Sequence, residues 1–164
     1  MLSQEKLYKK FYPALYTLCS TFFEDGHDAL TVLNNGMLRV FSHIHKFDNK
    51  KGSFFTWAYT VVRNACLNMV KNRQIKLQTG PLDESQEMLS YNPFADRPWE
   101  EILQNLQKLP PTTRAIFSLY YLEGFSIKEV ANFLDIKEGA VKWHMSEGRS
   151  RLKIILQPNQ NKHA

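Results

Sequence analysis

Apolar residues recur every three or four positions along most of this chain, a spacing typical of α-helices that bury one face. A first helix is predicted from Leu2 to Phe23. A second is predicted to begin near Asp28, whose short carboxylate is suited to cap a helix start, and a third runs from about Phe54 to Arg73, where Ser53 can act as the cap. These three segments predict one small helical domain.

The segment from Phe125 to Lys153 predicts a short helix, a tight turn and a second helix. Ser126 and Glu129 have the spacing of a capping box, in which each side chain bonds the backbone amide of the other residue. Asp135 can end this helix because aspartate tolerates the left-handed backbone conformation better than most residues. The second helix is predicted from about Glu138. This pattern is typical of a DNA-binding helix-turn-helix.

The second helix of this motif has one apolar stripe and one polar side. The stripe, which we expect to face the core, contains Val141, Met145, Gly148, Leu152 and Leu156. Side chains outside the stripe offer donors for base edges and cations for phosphates, as a major groove requires. The candidates are Lys142, Trp143, His144, Ser146 and Arg149. The alternative is an amphipathic helix whose charged face is only solvated. Packing of Trp143 against a neighbouring helix is the less favoured interpretation of that residue.

The remaining segments complete an all-α organisation. Residues 76–98 contain three prolines and no sustained period, so they predict an acidic, flexible linker. Two helices between Trp99 and Gly124 are expected to brace the helix-turn-helix. The prediction is therefore two small helical domains, 1–75 and 99–157, joined by the linker, with the helix-turn-helix in the C-terminal domain and a polar tail at 158–164.

The charge distribution favours a polyanionic partner. Counted along the sequence, residues 1–77 carry a net charge of +6, residues 78–101 carry −5 and residues 102–164 carry +4. Two basic blocks around an acidic segment are expected of a two-part nucleic-acid-binding protein, although ordinary solvated charge gives the same totals.

Other classes of protein are disfavoured by what the sequence lacks. Its five histidines are scattered, and no catalytic constellation or glycine-rich phosphate loop is evident, which argues against an enzyme and predicts no cofactor or metal. Cys19 and Cys66 are predicted to be reduced core thiols. The sequence has no long apolar run or cleavable signal pattern, so we expect a cytoplasmic protein without membrane insertion.

Aromatic and cationic residues occur together around the start of the third helix. Such a cluster could stack on unpaired bases while the cations hold the phosphate backbone. Ordinary core packing of the same rings is an equally good interpretation. The residues are Lys46, Lys50, Lys51, Phe54, Phe55, Trp57, Tyr59 and Arg63.

Two sets of motifs resemble one family. F-D-x-x-K-G-S-F-x-x-W from Phe47, with R-N at 63–64, is similar to the second conserved region of the extracytoplasmic-function (ECF) group of bacterial RNA polymerase sigma factors. L-P-P-x-x-R-x-x-F from Leu109, followed by E-G-x-S-x-x-E-V-A from Glu123 and G-x-V-K from Gly139, resembles their fourth region. Two motif sets in this order make a chance match improbable.

The resemblance implies a sigma factor that binds core RNA polymerase, directs it to specific promoters and promotes DNA opening. It implies a polymerase-binding helix with Val32, Asn34, Asn35, Leu38, Arg39 and Phe41. It implies recognition and melting of the minus-ten element by Lys46, Lys50, Lys51, Ser53, Phe54, Trp57, Arg63 and Asn64. It assigns the minus-thirty-five element to Lys142, Trp143, His144, Ser146 and Arg149. A membrane-bound anti-sigma factor is a further possible partner of such a protein.

Several positions depart from the family pattern. Thr31, Asn34 and Asn35 stand where acidic residues and glutamine are usual, which implies a less charge-dependent contact with polymerase. Lys137 stands where serine often caps the recognition helix, and Trp143 and His144 replace a small residue and an arginine. A helix-turn-helix activator or repressor that works without polymerase is the main alternative, but it leaves residues 37–73 unexplained.

Overall fold

In the computed structural model, the described residues are 2–73 and 92–156, and all their regular secondary structure is helical. The chain divides into two compact units, Met1–Ile75 and Lys76–Ala164. The predicted all-α fold with two helical parts is confirmed. Most of the predicted linker and the predicted tail lie outside the described residues.

The first unit consists of α1 (Leu2–Phe22), α2 (Gly26–Ser42), a short 3₁₀ turn (Ile44–Lys46) and α3 (Phe54–Arg73). α2 packs against both α1 and α3, so its buried face is wide. The core between the three helices is almost entirely aliphatic and aromatic, and burial of this surface is the main stabilising term. Its fully buried members include Leu15, Cys19, Phe22, Leu33, Val40, Ala58, Val62 and Cys66.

The ends of these helices are fixed by side chains. Asp25, not the predicted Asp28, caps α2, because its carboxylate accepts a hydrogen bond from the His27 amide at 2.8 Å. Asp28 instead accepts two hydrogen bonds from the Arg73 guanidinium, at 2.8 and 2.9 Å, and so ties the start of α2 to the end of α3. Ser53 caps α3 as predicted, since its hydroxyl accepts from the Thr56 amide at 3.1 Å.

A glycine lets α2 and α3 approach closely. A Cβ placed on Gly36 would lie 2.9 Å from Cγ2 of Val62. Nearby, the Sγ atoms of Cys19 and Cys66 are 3.7 Å apart, and both thiols are fully buried. This close packing fixes the side of α2 that stays exposed.

The second unit consists of α4 (Trp99–Gln107), α5 (Pro111–Phe117), α6 (Ile127–Leu134) and α7 (Glu138–Leu156). α5 continues into a π-helical turn at Ser118–Leu122. Gly124 follows with a positive φ of 79°, a conformation that glycine adopts without strain, and the chain then turns into α6. α7 packs against both α5 and α6.

A buried arginine holds α4 and α5 together. Arg114, which belongs to the L-P-P-x-x-R motif, is only 5% exposed. Its Nε donates to the Leu106 carbonyl at 3.0 Å, and its Nη2 donates to the carbonyls of Gln107 and Leu109 at 3.1 and 2.8 Å. Leu106 and Gln107 lie in the last turn of α4, where carbonyls lack helical partners, and Leu109 lies in the turn before α5, so the guanidinium joins the end of α4 to this turn. The motif arginine therefore has a structural role.

The C-terminal end of the predicted linker packs into the second unit. Phe94 is 5% exposed, and its ring lies 6.0 Å from that of Phe117 and 5.6 Å from that of Tyr121. An isolated phenylalanine among polar residues gains by burial, and it anchors this part of the chain against α5. Residues 92–98 are thus part of the helical unit.

Candidate nucleic-acid interface

The helix-turn-helix has the local geometry that its sequence predicts. The Ser126 amide donates to Glu129 at 2.8 Å and the Glu129 amide donates to the Ser126 hydroxyl at 3.2 Å, which completes the capping box. Asp135 has φ 54° and ψ 48°, the predicted left-handed end of α6. The amides of Ala140 and Val141 donate to the Lys137 carbonyl, so Lys137 occupies the position that precedes α7.

α7 leaves four of the five predicted recognition residues at least partly accessible to solvent. Its apolar stripe is buried as predicted at Val141, Met145 and Leu152, with 0–1% exposure, whereas Leu156 at its end is only half-buried. Lys142 is exposed, whereas the side chains of Trp143, Ser146 and Arg149 are half-buried. Two nitrogens of Arg149, Nε and Nη2, are buried without a hydrogen-bond partner. These two donors are enclosed by the protein itself, so they do not face a partner outside it.

The structure does not support the predicted role of His144 in contacting bases. Its side chain is 5% exposed, and its Nδ1 lies 2.9 Å from the Thr113 hydroxyl on α5. α7 is covered on two sides, by α5 and by α6, so a residue that flanks the apolar stripe is enclosed as well. The ring of Trp143 packs at right angles to His144, with centroids 4.9 Å apart. His144 therefore connects α5 to the partly exposed Trp143.

Burial makes His144 a pH-sensitive part of this unit. Desolvation lowers its pKa below the ordinary 6.5, and the nearby Glu147 carboxylate only partly opposes this shift. The unfolded chain then takes up the proton before the folded unit does. We expect the stability of the second unit to be intact above pH 6.5 and to fall as the pH drops below that value.

This expectation can be measured by denaturant unfolding between pH 8 and 5. A His144→Gln variant, which keeps a group able to bond Thr113, should show a flatter pH dependence below pH 6.5. His27→Gln is the matched control, since His27 is exposed at the start of α2. Equal slopes for His144→Gln and the unsubstituted chain would show that His144 does not titrate with unfolding.

In the first unit, the turn before α3 exposes a row of cations. Lys46, Lys50 and Lys51 are all exposed. The Lys50 amide donates to the Asp48 carboxylate at 2.9 Å, and the Lys51 amide donates to the Asp48 carbonyl at 3.1 Å. This turn holds the two lysines beside the start of α3, where Ser53 is also exposed.

The aromatic rings of this region pack against one another and also remain partly exposed to solvent. The ring centroids of Phe47 and Phe54 are 5.2 Å apart, and that of Trp57 lies 5.7 Å from Phe47 and 5.6 Å from Phe54. Phe54 and Trp57 are nevertheless only half-buried. Packing therefore accounts for part of each ring, and the exposed remainder is available for stacking on a base. Arg63 is also half-buried, and Asn64 is exposed.

A groove joins this region to the end of α2. It is open, with a volume of about 370 Å³, and it includes Lys46, Trp57 and Asn64 from the predicted minus-ten set. It also includes Arg39, which the sequence assigned to polymerase. His43 and Asn68 were missed, although each lies one helical turn after a predicted residue. The lining residues are Arg39, His43, Lys46, Trp57, Val61, Asn64 and Asn68.

The predicted polymerase-binding face is partly exposed. Asn34, Asn35 and Leu38 point to solvent on α2, and Leu38 is 65% exposed. The Tyr8 hydroxyl donates to Oδ1 of Asn34 at 2.7 Å, which holds that amide in place. The structure does not support the predicted polymerase contact of Val32. This residue is 1% exposed and belongs to the core that α2 shares with α1 and α3.

Phe41, the last member of the predicted polymerase-binding set, is half-buried.

Within residues 2–73 and 92–156, no group of three or more His, Cys, Asp or Glu side chains could hold a metal ion. None of the helices described is both long enough and apolar enough to span a lipid bilayer.

One unit contains a helix-turn-helix and the other contains a groove lined by cationic and aromatic side chains, a combination typical of a two-part DNA-binding protein. Residues 7–75 match the family Sigma-70 region 2, and residues 99–152 match Sigma-70, region 4. This chain belongs to the ECF group of RNA polymerase sigma factors, which direct promoter-specific transcription.

Individual relatives agree with this assignment. ECF RNA polymerase sigma factor SigM of Bacillus subtilis is 24% identical, with 92% of this chain and 93% of the relative covered. SigE of Mycolicibacterium smegmatis is 26% identical over 100% of this chain and 65% of the relative. The fold is similar to that of the sigma factor RpoE from Bartonella quintana, solved in complex with the anti-sigma factor NepR. That match has a TM-score of 0.53 and 15% identity, covering 98% of this chain and 100% of RpoE.

Proposed function

We propose that the two units divide the work of promoter recognition. Residues 1–75 bind core polymerase through Asn34, Asn35 and Leu38, and they hold the minus-ten element with the basic turn, the exposed parts of Phe54 and Trp57, and Arg63 and Asn64. Residues 99–157 bind the minus-thirty-five element through Lys142, Trp143, Ser146 and Arg149. The observation that carries this proposal is that each unit has its own cationic surface beside a half-buried tryptophan.

The chain has no catalytic activity of its own in this proposal, and it works in the cytoplasm, where polymerase and promoter DNA meet. We propose an anti-sigma factor as a further partner, and the resemblance to ECF sigma factors suggests one that is membrane-bound. The support is the NepR complex of the similar RpoE, together with the exposed Leu38 of this chain. A partner that copurifies with the chain from detergent-solubilised cells should block core binding in vitro.

The test of the function is abortive initiation with purified core polymerase on a genomic promoter library. The chain should produce initiation from a small set of promoters, whereas core alone should not. A helix-turn-helix regulator, the alternative class, would bind those fragments equally well without polymerase. Its addition to core polymerase would not produce initiation at specific sites. That result would overturn the polymerase-binding and minus-ten assignments of residues 1–75, whereas the helix-turn-helix would remain a DNA-binding surface.

Lys142 is expected to contact a phosphate, because it is exposed at the flank of α7. Without this phosphate contact, binding releases about one counterion fewer. Lys142→Ala should therefore reduce the magnitude of the negative slope of log K against log salt by about 0.9. Its affinity should fall by a similar factor for preferred and random duplexes. Fluorescence anisotropy at several salt concentrations measures both quantities.

Lys108→Ala is the matched control, since Lys108 is exposed at the end of α4, outside the helix-turn-helix. It should leave the salt slope unchanged. A Lys142→Ala variant that loses affinity only for particular bases would instead assign Lys142 to base recognition.

A further inference from the structure

The end of α2 lies on the same groove as the aromatic and amide side chains of α3. Arg39 comes from α2, His43 from the cap at the end of α2, Lys46 from the 3₁₀ turn, and Trp57, Asn64 and Asn68 from α3. The volume of about 370 Å³ lies at the lower end of the range for small-ligand sites, which suits one nucleotide. Cations for a phosphate, a ring for stacking and amides for a base edge are thus together.

The hydrogen bond of His43 determines what its ring can offer in this groove. Nδ1 lies 3.0 Å from the carbonyl oxygen of Arg39, one turn earlier in α2. A carbonyl oxygen only accepts, so Nδ1 carries the proton and donates it there. In the neutral imidazole, Nε2 is then left as a hydrogen-bond acceptor. His43 is exposed, and the groove gives this acceptor a place to meet a donor.

We propose that His43 is a specificity-determining residue for the non-template strand of the opened promoter. Its Nε2 accepts a hydrogen bond from the exocyclic amino group of one unpaired adenine or cytosine that occupies this groove. Arg39 and Lys46 hold the adjoining phosphates, so Arg39 belongs to the DNA-binding surface and not to the polymerase-binding one. This inference rests on the proposed function, and it adds residues that the promoter-binding assignment lacked.

The test uses the full chain bound to core polymerase on a pre-melted promoter. Each adenine and cytosine of the non-template strand is replaced in turn by purine or 2-pyrimidinone, analogues that lack only the amino group. At one position the analogue should weaken binding by about 2- to 12-fold, the range for one neutral hydrogen bond. His43→Ala should weaken the natural strand by a similar factor and abolish the effect of the analogue.

Two variants separate base recognition from structure. His43→Gln retains an acceptor oxygen and should restore part of the discrimination between natural base and analogue. His45→Ala is the matched control, because His45 is exposed beside His43, with ring centroids 6.3 Å apart, but does not line the groove. It should keep the full analogue effect.

The outcomes distinguish this inference from the function on which it rests. If His43→Ala shows the same analogue effect as the unsubstituted chain, or if no position responds to the analogues, His43 does not select a base and the inference fails. In either case sequence-specific open complexes would still support the sigma factor assignment. Absence of any specific open complex with the unsubstituted chain would overturn the proposed function itself.

Discussion

A Gly148→Ala variant is expected to lose about 1–3 kcal/mol of stability in the unit that contains the helix-turn-helix, the usual cost of overpacking. A Cβ at this position would lie 2.4 Å from Cε2 of Phe117, 2.6 Å from its Cζ and 2.8 Å from Cγ2 of Thr113. Phe117 is fully buried, and Thr113 is held by His144, so neither has room to move. α7 must then separate from α5.

Alanine normally stabilises a helix relative to glycine by about 1 kcal/mol, so the cost of the clash at Gly148 would exceed the measured net loss by about that amount. Denaturant unfolding of the full chain, followed by circular dichroism, provides the free energy. Gly26→Ala is the matched control, since the nearest atom to its added Cβ is the Tyr16 hydroxyl at 3.2 Å and the site is exposed.

A double-mutant cycle identifies the clashing partner. Phe117→Leu alone should destabilise the unit, but in the Gly148→Ala background it should cost less, because the smaller side chain leaves room for the methyl group. Additive effects would mean that the added methyl group is accommodated elsewhere. A stable Gly148→Ala variant would show that the α5–α7 packing is looser than these distances indicate.

The elements themselves could be predicted because their signals are local. The capping box at Ser126 and Glu129, the cap at Ser53 and the left-handed Asp135 each depend on a few neighbouring residues. The start of α2 was misplaced by three residues, since Asp25 and Asp28 are both suitable caps. The hydrogen bond that Asp28 accepts from Arg73, 45 residues away, occupies the Asp28 carboxylate and leaves Asp25 as the cap.

Burial at the candidate site could be predicted less well, because it depends on how many helices pack against one. The predicted apolar stripe of α7 leaves His144 available for a partner, and the resemblance to the family assigns Val32 to polymerase. α7 and α2 each pack against two helices, and the wider contact encloses both residues. The groove between α2 and α3 has the same origin. Arg39 and Asn68 are brought together only by tertiary packing.

A Leu38→Glu variant is expected to fold normally but to bind core polymerase with an affinity about 10- to 100-fold lower. Leu38 is 65% exposed, so its replacement should change the stability of the free chain by no more than about 0.5 kcal/mol. In a complex, burial of a leucine contributes about 1.5–3 kcal/mol, and an unpaired carboxylate in its place adds a desolvation cost. Each 1.4 kcal/mol corresponds to a tenfold change in affinity.

Fluorescence titration of labelled chain with core polymerase, without promoter DNA, measures this affinity. Ile154→Glu is the matched control, because Ile154 is 75% exposed near the end of α7 and lies outside the proposed docking face. The affinity of the unsubstituted chain should change little with salt, since Asn34, Asn35 and Leu38 are uncharged and their contacts are not screened. If Leu38→Glu binds core as tightly as Ile154→Glu does, the docking face lies elsewhere on the first unit, and the role assigned to these three residues is wrong.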